Sequence, residues 1–429
     1  MENIYTDAAH QLLAHCLAGT AWPEASLDRL IEPAGSRALF TIVVERLADL
    51  FDPRLCDTYA DLFAEVIART IPGLHETRLL DRYRRIRAPK KLDRDPAAVR
   101  SVFVLSRVTL GADVAVTSVV LDAAKQRFPN AAIYFVGQMK GWELFAADSR
   151  LEHLPVSYGR SASLEERLAV WPALRESLCQ SNSIIIDPDS RLTQLGLLPV
   201  CPEEDYYFFE SRSYGAESDA SLTELTQRWV AETFDVPDAK PYIAPIPLTS
   251  DPATVTVSFG VGENPSKRVE DPFEPELLRQ LVHRNFSILI DRGAGGEEAA
   301  RVERAVAHAG GNIRQWDGSF AGFAAQIKQS ELYIGYDSAG GHVAAASGIP
   351  MISIFAGFPS ERMFQRWRPT GPGPIKIVRP TQTTLEDVVG QTVGLCRLSA
   401  ARGAVLTPQS TESPTPSVAV PAPAMEHRT

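Results

Sequence analysis

Cysteine is scarce and scattered in this chain: five in 429 residues (Cys16, Cys56, Cys179, Cys201 and Cys396), with no CxxC spacing. An odd count without that spacing offers neither a zinc ligand set nor a disulfide frame, and predicts buried free thiols in a reducing compartment. Excess positive charge is also lacking. Lys and Arg number 43 against 53 Asp and Glu, a formal net charge of −10. A general nucleic-acid binder needs a basic stripe to neutralise phosphates, so that class is excluded, while a local basic pocket for a phosphorylated small molecule is not. No uninterrupted apolar stretch is long enough for a transmembrane segment. The opening MENIYTDAAH has no basic or apolar signal region. The expectation is a cytoplasmic protein, at most peripheral to the inner face of a membrane.

What is present suffices for more than one core. Hydrophobic residues make up 45% and charged residues 22%, and the chain is longer than one compact core usually holds. Residues 1–95 read as a helical segment: SRALFTIVVERLADLFD sets Leu39, Ile42, Val43, Leu47 and Leu50 at spacings of three and four. The segment ends in RYRRIRAPKKLDRD, read as a solvated linker, with a membrane-surface or acceptor-binding patch as the alternative. At Ser101 the period changes. SVFVLS, AAIYFVG, SIIID and YYFF read as short strands separated by helices over residues 100–235. After the proline-rich linker VPDAKPYIAPIPLTSDP a second alternation follows over 250–395, with strands TVTVSF, FSILID, LYIGYD, MISIF and IKIV. Two βα arrays predict an α/β protein with two parallel sheets, each covered on both faces. Residues 401–429, rich in Pro, Ser and Thr, read as a disordered tail.

One stretch, YDSAGGHVAAASGIP (336–350), crowds hydrogen-bonding groups onto the start of an apolar helix. The strand ends at Asp337, so residues 338–341 form a strand-to-helix turn at the carboxyl edge of a parallel sheet, where α/β proteins bind ligands. Gly340 and Gly341 let a ligand approach the backbone, and the free N–H groups and helix dipole favour an anion. His342 can donate to a phosphate oxygen. The alternative is that Asp337 or Ser338 simply caps the helix and His342 packs locally. No metal constellation is visible: His342 has no partner at ligand spacing, and DPDS (187–190) stands alone. GAGGEE (293–298) lacks the GxGxxG order and reads as a strand-to-helix turn with helix-starting acids.

The stretch from Tyr333 to Pro359 resembles the C-terminal signature of glycosyltransferase family 9, the heptosyltransferase-like enzymes. Asp337, Ser338, His342, Ala344, Ala345, Gly348, Pro350 and Phe355 occupy matching positions. Independently, VLSRVTLGADVAVTSVVLDAAKQRFPNAAIYFV is similar to the family's opening strand, turn and helix, with Arg107, Asp113, Thr117, Lys125, Phe128 and Pro129 matching. The resemblance covers about residues 100–395. It implies a GT-B fold, two Rossmann-like domains facing across a cleft, with the acceptor on the first and a nucleotide-diphosphate sugar donor on the second. It also implies inverting, metal-independent transfer to an acceptor hydroxyl, with no cofactor. Asp113 is the implied general base, its alternative being the N-cap of a helix beginning at Val114. Ser258 and Lys267 are the implied phosphate contacts in SFGVGENPSKRV, with Arg268 as rival to Lys267; the implied donor turn is Asp337, Ser338, Ala339, Gly340, Gly341 and His342. Arg362, Arg366 and Arg368 can contact diphosphate or acceptor, or coat a helix.

Three positions depart from the family pattern. Ala112 stands where the family has Gly, with Gly111 one place earlier; Ala339 replaces the Gly after Ser; and AGFP (356–359) replaces Phe-Gly-Pro-Thr. Two other functions compete: a catalytically inactive nucleotide-sugar binder, and a GT-B-fold nucleotide-sugar epimerase that needs no acceptor. Neither hydrolysis nor transfer marks the first, and a product formed without acceptor marks the second. The acceptor, whether glycan, lipid-linked glycan or protein, is not encoded in any motif.

Overall fold

The computed structural model describes residues 2–394 apart from 157, 160–161, 250, 263, 294, 381–385, 387–388 and 391–392. The expected tail at 401–429 and Cys396 lie outside the described residues. Two separate sheets form. The first has strand order β3-β2-β1-β4-β5, from β1 (Ser101–Leu105), β2 (Ala132–Gly137), β3 (Leu151–Pro155), β4 (Ser183–Asp187) and β5 (Tyr206–Phe208). The second is β11-β10-β9-β6-β7-β8, from β6 (Val255–Ser258), β7 (Ile288–Asp291), β8 (Ile313–Trp316), β9 (Leu332–Tyr336), β10 (Met351–Ile354) and β11 (Ile375–Val378). All pairs are parallel; Val102 lies opposite Ile133 and Ile184, and Val257 opposite Ile290 and Ile334. β3 and β8 escape the sequence reading because they are edge strands. LEHLP and IRQW carry charge or proline that a central strand could not bury.

Side chains alternate across β1 and decide what covers each face. Val102 and Val104 point to the helices 110–127 and Leu222–Phe234, in a cluster with Val116, Val120 and Val230. Phe103, Leu105 and Ile185 point the other way, into a cluster with Phe63, Val66 and Ile67 of the helix Pro53–Thr70. The N-terminal helices thus supply the second cover of the first sheet. Removing a ring such as Phe103 from that interface would cost about 3–5 kcal/mol. The basic run after them is neutralised rather than solvated: Arg85 pairs with Glu203, Arg94 with Asp205, Arg87 with Glu210, and Lys90 donates to the Glu203 and Glu204 carbonyls. Most of its charges dock the segment, while Arg84 pairs with Asp81 of its own helix and Lys91 is exposed.

The two halves share part of their packing. One cluster unites Val114 and Val116 with Phe323, Val343, Ala344, Met351 and Met363 of the second half. The proline-rich link lies along both: Ala244 exchanges backbone hydrogen bonds with Leu144 and Ala147, and Lys328 reaches the Ile243 carbonyl. Among the described cysteines Cys16 and Cys56 are buried as expected, but Cys179 is exposed, because it caps a short surface helix. No described helix is long and apolar enough to cross a membrane.

Candidate active site

In each sheet the first strand lies between strands that run off in opposite directions along the chain. The switch points therefore fall between β1 and β4 and between β6 and β9. Crevices at the carboxyl ends of strands open there. Asp113 sits beyond β1, Ser258 at the last position of β6, Lys267 beyond it, and Asp337 just beyond β9.

The loop after β1 turns sharply at Val108, a β-branched residue held at φ 75°, a conformation that persists only where its surroundings impose it. Ser106 imposes it, its Oγ accepting the Val108 N–H at 2.8 Å while donating to Asp113 Oδ2 at 2.8 Å. The following helical run starts at Leu110 with Thr109 at its N-cap. Asp113 is therefore not the N-cap of a helix starting at Val114. It lies one turn inside, its Oδ1 accepting from the Arg107 N–H and Thr117 Oγ1, both at 2.8 Å. Burial pushes its carboxyl up to about 6, outweighing the hydrogen bonds from Ser106, Thr117 and Arg107 that favour the ionised form. Arg107 donates to the Pro188 carbonyl at 3.2 Å and to Ser211. The DPDS acids are structural: Asp187 accepts from Ser190, Thr193 and Tyr206, and Asp189 forms a buried ion pair with Arg212 at 2.9 Å.

In the second half the turn after β9 is the start of the helix Ala339–Ala346. Ser338 occupies the N-cap position in extended conformation, yet its hydroxyl makes no capping bond. Neither that buried Oγ nor the Tyr333 hydroxyl beside it has a well-formed hydrogen bond. The Ser338 carbonyl takes the Gly341 N–H, so that donor is not available to a ligand, whereas the Ala339 and Gly340 N–H groups open the helix. The two glycines differ in what surrounds them. A Cβ on Gly340 would overlap the Tyr333 hydroxyl, and one on Gly341 would touch Met351 and Pro369 at 3.4 and 3.7 Å. The first is a clash and the second an ordinary contact, so packing requires the glycine at 340 and not at 341. The departure at AGFP also has a reason: a Cβ on Gly357 would overlap the Ser266 carbonyl, so that loop backs the Lys267 loop closely.

Lys267 and Arg268 have different neighbours. Lys267 Nζ meets Asp337 Oδ2 at 2.6 Å, whereas Arg268 is bound to the buried Glu274 at 2.8 Å and to Asp271. Ser258 Oγ lies 3.4 Å from Asp291 Oδ2 at the end of β7. His342 is buried, and burial drives its imidazole down to about 4, so the ring is neutral near pH 7. Arg362, Arg366 and Arg368 clasp the first half. Arg366 donates to the carbonyls of Gly215, Ser218 and Ala220 at 2.6–2.8 Å, Arg362 to those of Phe51 and Ala216, and Arg368 pairs with Glu224. Among the described residues no group of three His, Cys, Asp or Glu side chains is placed to hold a metal ion.

Two parallel α/β halves with opposed switch points define the GT-B class, and solved structures share the architecture. The glycosyl transferase family 9 protein from Veillonella parvula superimposes with a TM-score of 0.54 at 15% identity, over 71% of this chain and 97% of its own. The E. coli heptosyltransferase WaaC with ADP-2-deoxy-2-fluoro heptose gives 0.51 at 16%, over 68% and 99%. E. coli ADP-heptose lps heptosyltransferase II gives 0.50 at 15%, over 70% and 99%. No curated protein sequence matches. Residues 270–384 match glycosyltransferase family 9 (heptosyltransferase), so the chain carries a domain of that family and is by class a glycosyltransferase.

Proposed function

We propose that this chain transfers a sugar from a nucleotide-diphosphate sugar to an acceptor hydroxyl with inversion, residues 100–235 holding the acceptor and 250–395 the donor. One observation carries the reading: the loop bearing Asp113 and the turn at 338–342 meet, with a Cβ on Gly111 lying 3.3 Å from His342 Cδ2 and 3.5 Å from Ala339 Cα. In the reaction Asp113 takes the acceptor proton, the freed oxygen attacks the anomeric carbon from the face opposite the diphosphate, and the glycosidic bond to phosphate breaks. A carboxyl at about 6 is ionised near neutral pH and still basic enough to accept that proton. The charge gathering on the diphosphate meets Lys267, the Ser338 hydroxyl and the Ala339 and Gly340 N–H groups at the positive end of the helix dipole. Lys267 turns from Asp337 to phosphate. His342, being neutral, contributes one ring N–H and no charge.

Because solved heptosyltransferase WaaC structures hold ADP and ADP-2-deoxy-2-fluoro heptose, an ADP-sugar is the first donor to try. Donor consumption and acceptor glycosylation are measured for wild type and Asp113→Asn, with and without EDTA. Asn keeps the Arg107 and Thr117 bonds on Oδ1 and can donate to Ser106 Oγ, so it should fold. Turnover should fall by on the order of a hundredfold while ADP binding stays. Near-normal transfer by Asp113→Asn removes Asp113 as base, and loss of wild-type activity in EDTA removes metal independence.

A further inference from the structure

The corner between the helical run 36–49 and the helix Pro53–Thr70 leaves the N-terminal helices and enters the space between the two sheets. Phe51 at its tip is only 3% exposed and sits at φ 50°. A bulky side chain holds that left-handed conformation only when contacts around it compensate the strain. Asp52 secures the corner from behind, accepting the Arg54 N–H at the start of the next helix. The contacts in front come from the second half. Arg362 Nε donates to the Phe51 carbonyl at 3.3 Å, and Trp367 packs edge-on to the Phe51 ring with centroids 6.3 Å apart. The same Trp367 packs edge-on to His342 at 5.9 Å. One tryptophan thus stands between the N-terminal segment and the histidine of the turn that meets Gly111.

We propose that Phe51 is a positioning residue of the donor turn: through Trp367 it seats His342 against the first half. The N-terminal helices then set the geometry of the turn, besides covering the first sheet. This rests on the reading of residues 338–342 as the donor turn. Edge-on aromatic pairs hold a defined ring orientation and are worth a few-fold in an equilibrium constant beyond the area they bury. Without the Phe51 ring, Trp367 loses one wall and can rotate, and His342 gains room and water. The charged groups facing the histidine are Asp337 and Lys267, which pair with each other. Hydration should therefore dominate its response.

The test uses the full-length chain with ADP as probe and follows the His342 ring protons through a pH titration, which needs no ligand. Phe51→Leu fills the space without a ring, and Phe51→Tyr restores one. Phe51→Leu should weaken ADP by about three- to tenfold and move the His342 titration up toward the ordinary histidine range. Phe51→Tyr should restore both, and Phe51→Leu combined with Trp367→Leu should be no worse than Trp367→Leu alone. Lys267→Met is the control for the underlying reading. If it loses ADP while Phe51→Leu binds normally with an unmoved His342, the inference fails and the donor turn stands. If Lys267→Met binds ADP as wild type does, the donor-turn reading fails and takes this inference with it.

Discussion

Gly111 faces His342 with room for no side chain to spare: a Cβ added to Gly111 would lie 3.3 Å from His342 Cδ2, although 230 residues of chain separate the two. The turn of one sheet rests on the turn of the other, and a side chain at 111 would act as a spacer. Gly111→Val should shift the halves by a fraction of an ångström and reduce transfer at least about tenfold, since misplacement on that scale is costly for reacting groups. Melting temperature should fall as well, because Val114 and Val343 beside this contact belong to the core the halves share, so transfer is compared at a temperature where both proteins are folded. Normal transfer by this variant would show that the contact does not set the reacting geometry.

The Lys267–Asp337 pair makes a second prediction. Lys267→Met removes the cation and leaves a carboxylate facing the diphosphate, so ADP affinity should fall by about one to two orders of magnitude. Adding Asp337→Asn should recover part of that loss by removing the repulsion. Calorimetric titration of the single and double variants checks this, and a double variant no better than Lys267→Met would mean that Asp337 does not face the ligand.

A third concerns packing. Gly340→Ala places a methyl group on the Tyr333 hydroxyl and should destabilise the protein by about 1–3 kcal/mol. Tyr333→Phe removes the overlapping oxygen, so the double variant should regain part of that stability in urea unfolding. Equal stability of the single and double variants would place the clash elsewhere.

The fourth concerns pH. With Asp113 pushed up to about 6, transfer should rise with pH through about 6 and then level off, and His342 at about 4 should be silent over that range. The effect on stability has the opposite sign. His342, lowered to about 4, adds stability as pH rises from about 4 to 6.5, but a carboxyl raised on folding holds its proton in the native state after the unfolded chain has released its own, so the Asp113 contribution falls as pH rises from about 4 to about 6 and is flat above. Asp187 is likewise raised to about 6 by burial, so Asp113→Asn should reduce that slope without abolishing it. An activity profile with no limb near pH 6 would count against Asp113 as the titrating base.

What the sequence by itself determined was local in origin. The apolar runs at 101–105 and 255–258 could only be buried strands. The crowding of Asp337, Ser338, Gly340, Gly341 and His342 before an alanine-rich helix marked a turn, because strand, turn and helix preferences act over a few residues. The tertiary structure decided everything that depends on which distant residue comes near. It showed that Asp113 is caged by Ser106 and Thr117 instead of capping a helix. It took Arg268 into Glu274 and left Lys267 beside Asp337, and it spent Arg362 and Arg366 on carbonyls near residue 216. Above all it carried Phe51 to Trp367 across more than three hundred residues. Side-chain chemistry at one position is compatible with many partners, and only the packing of whole sheets and helices against one another selects among them.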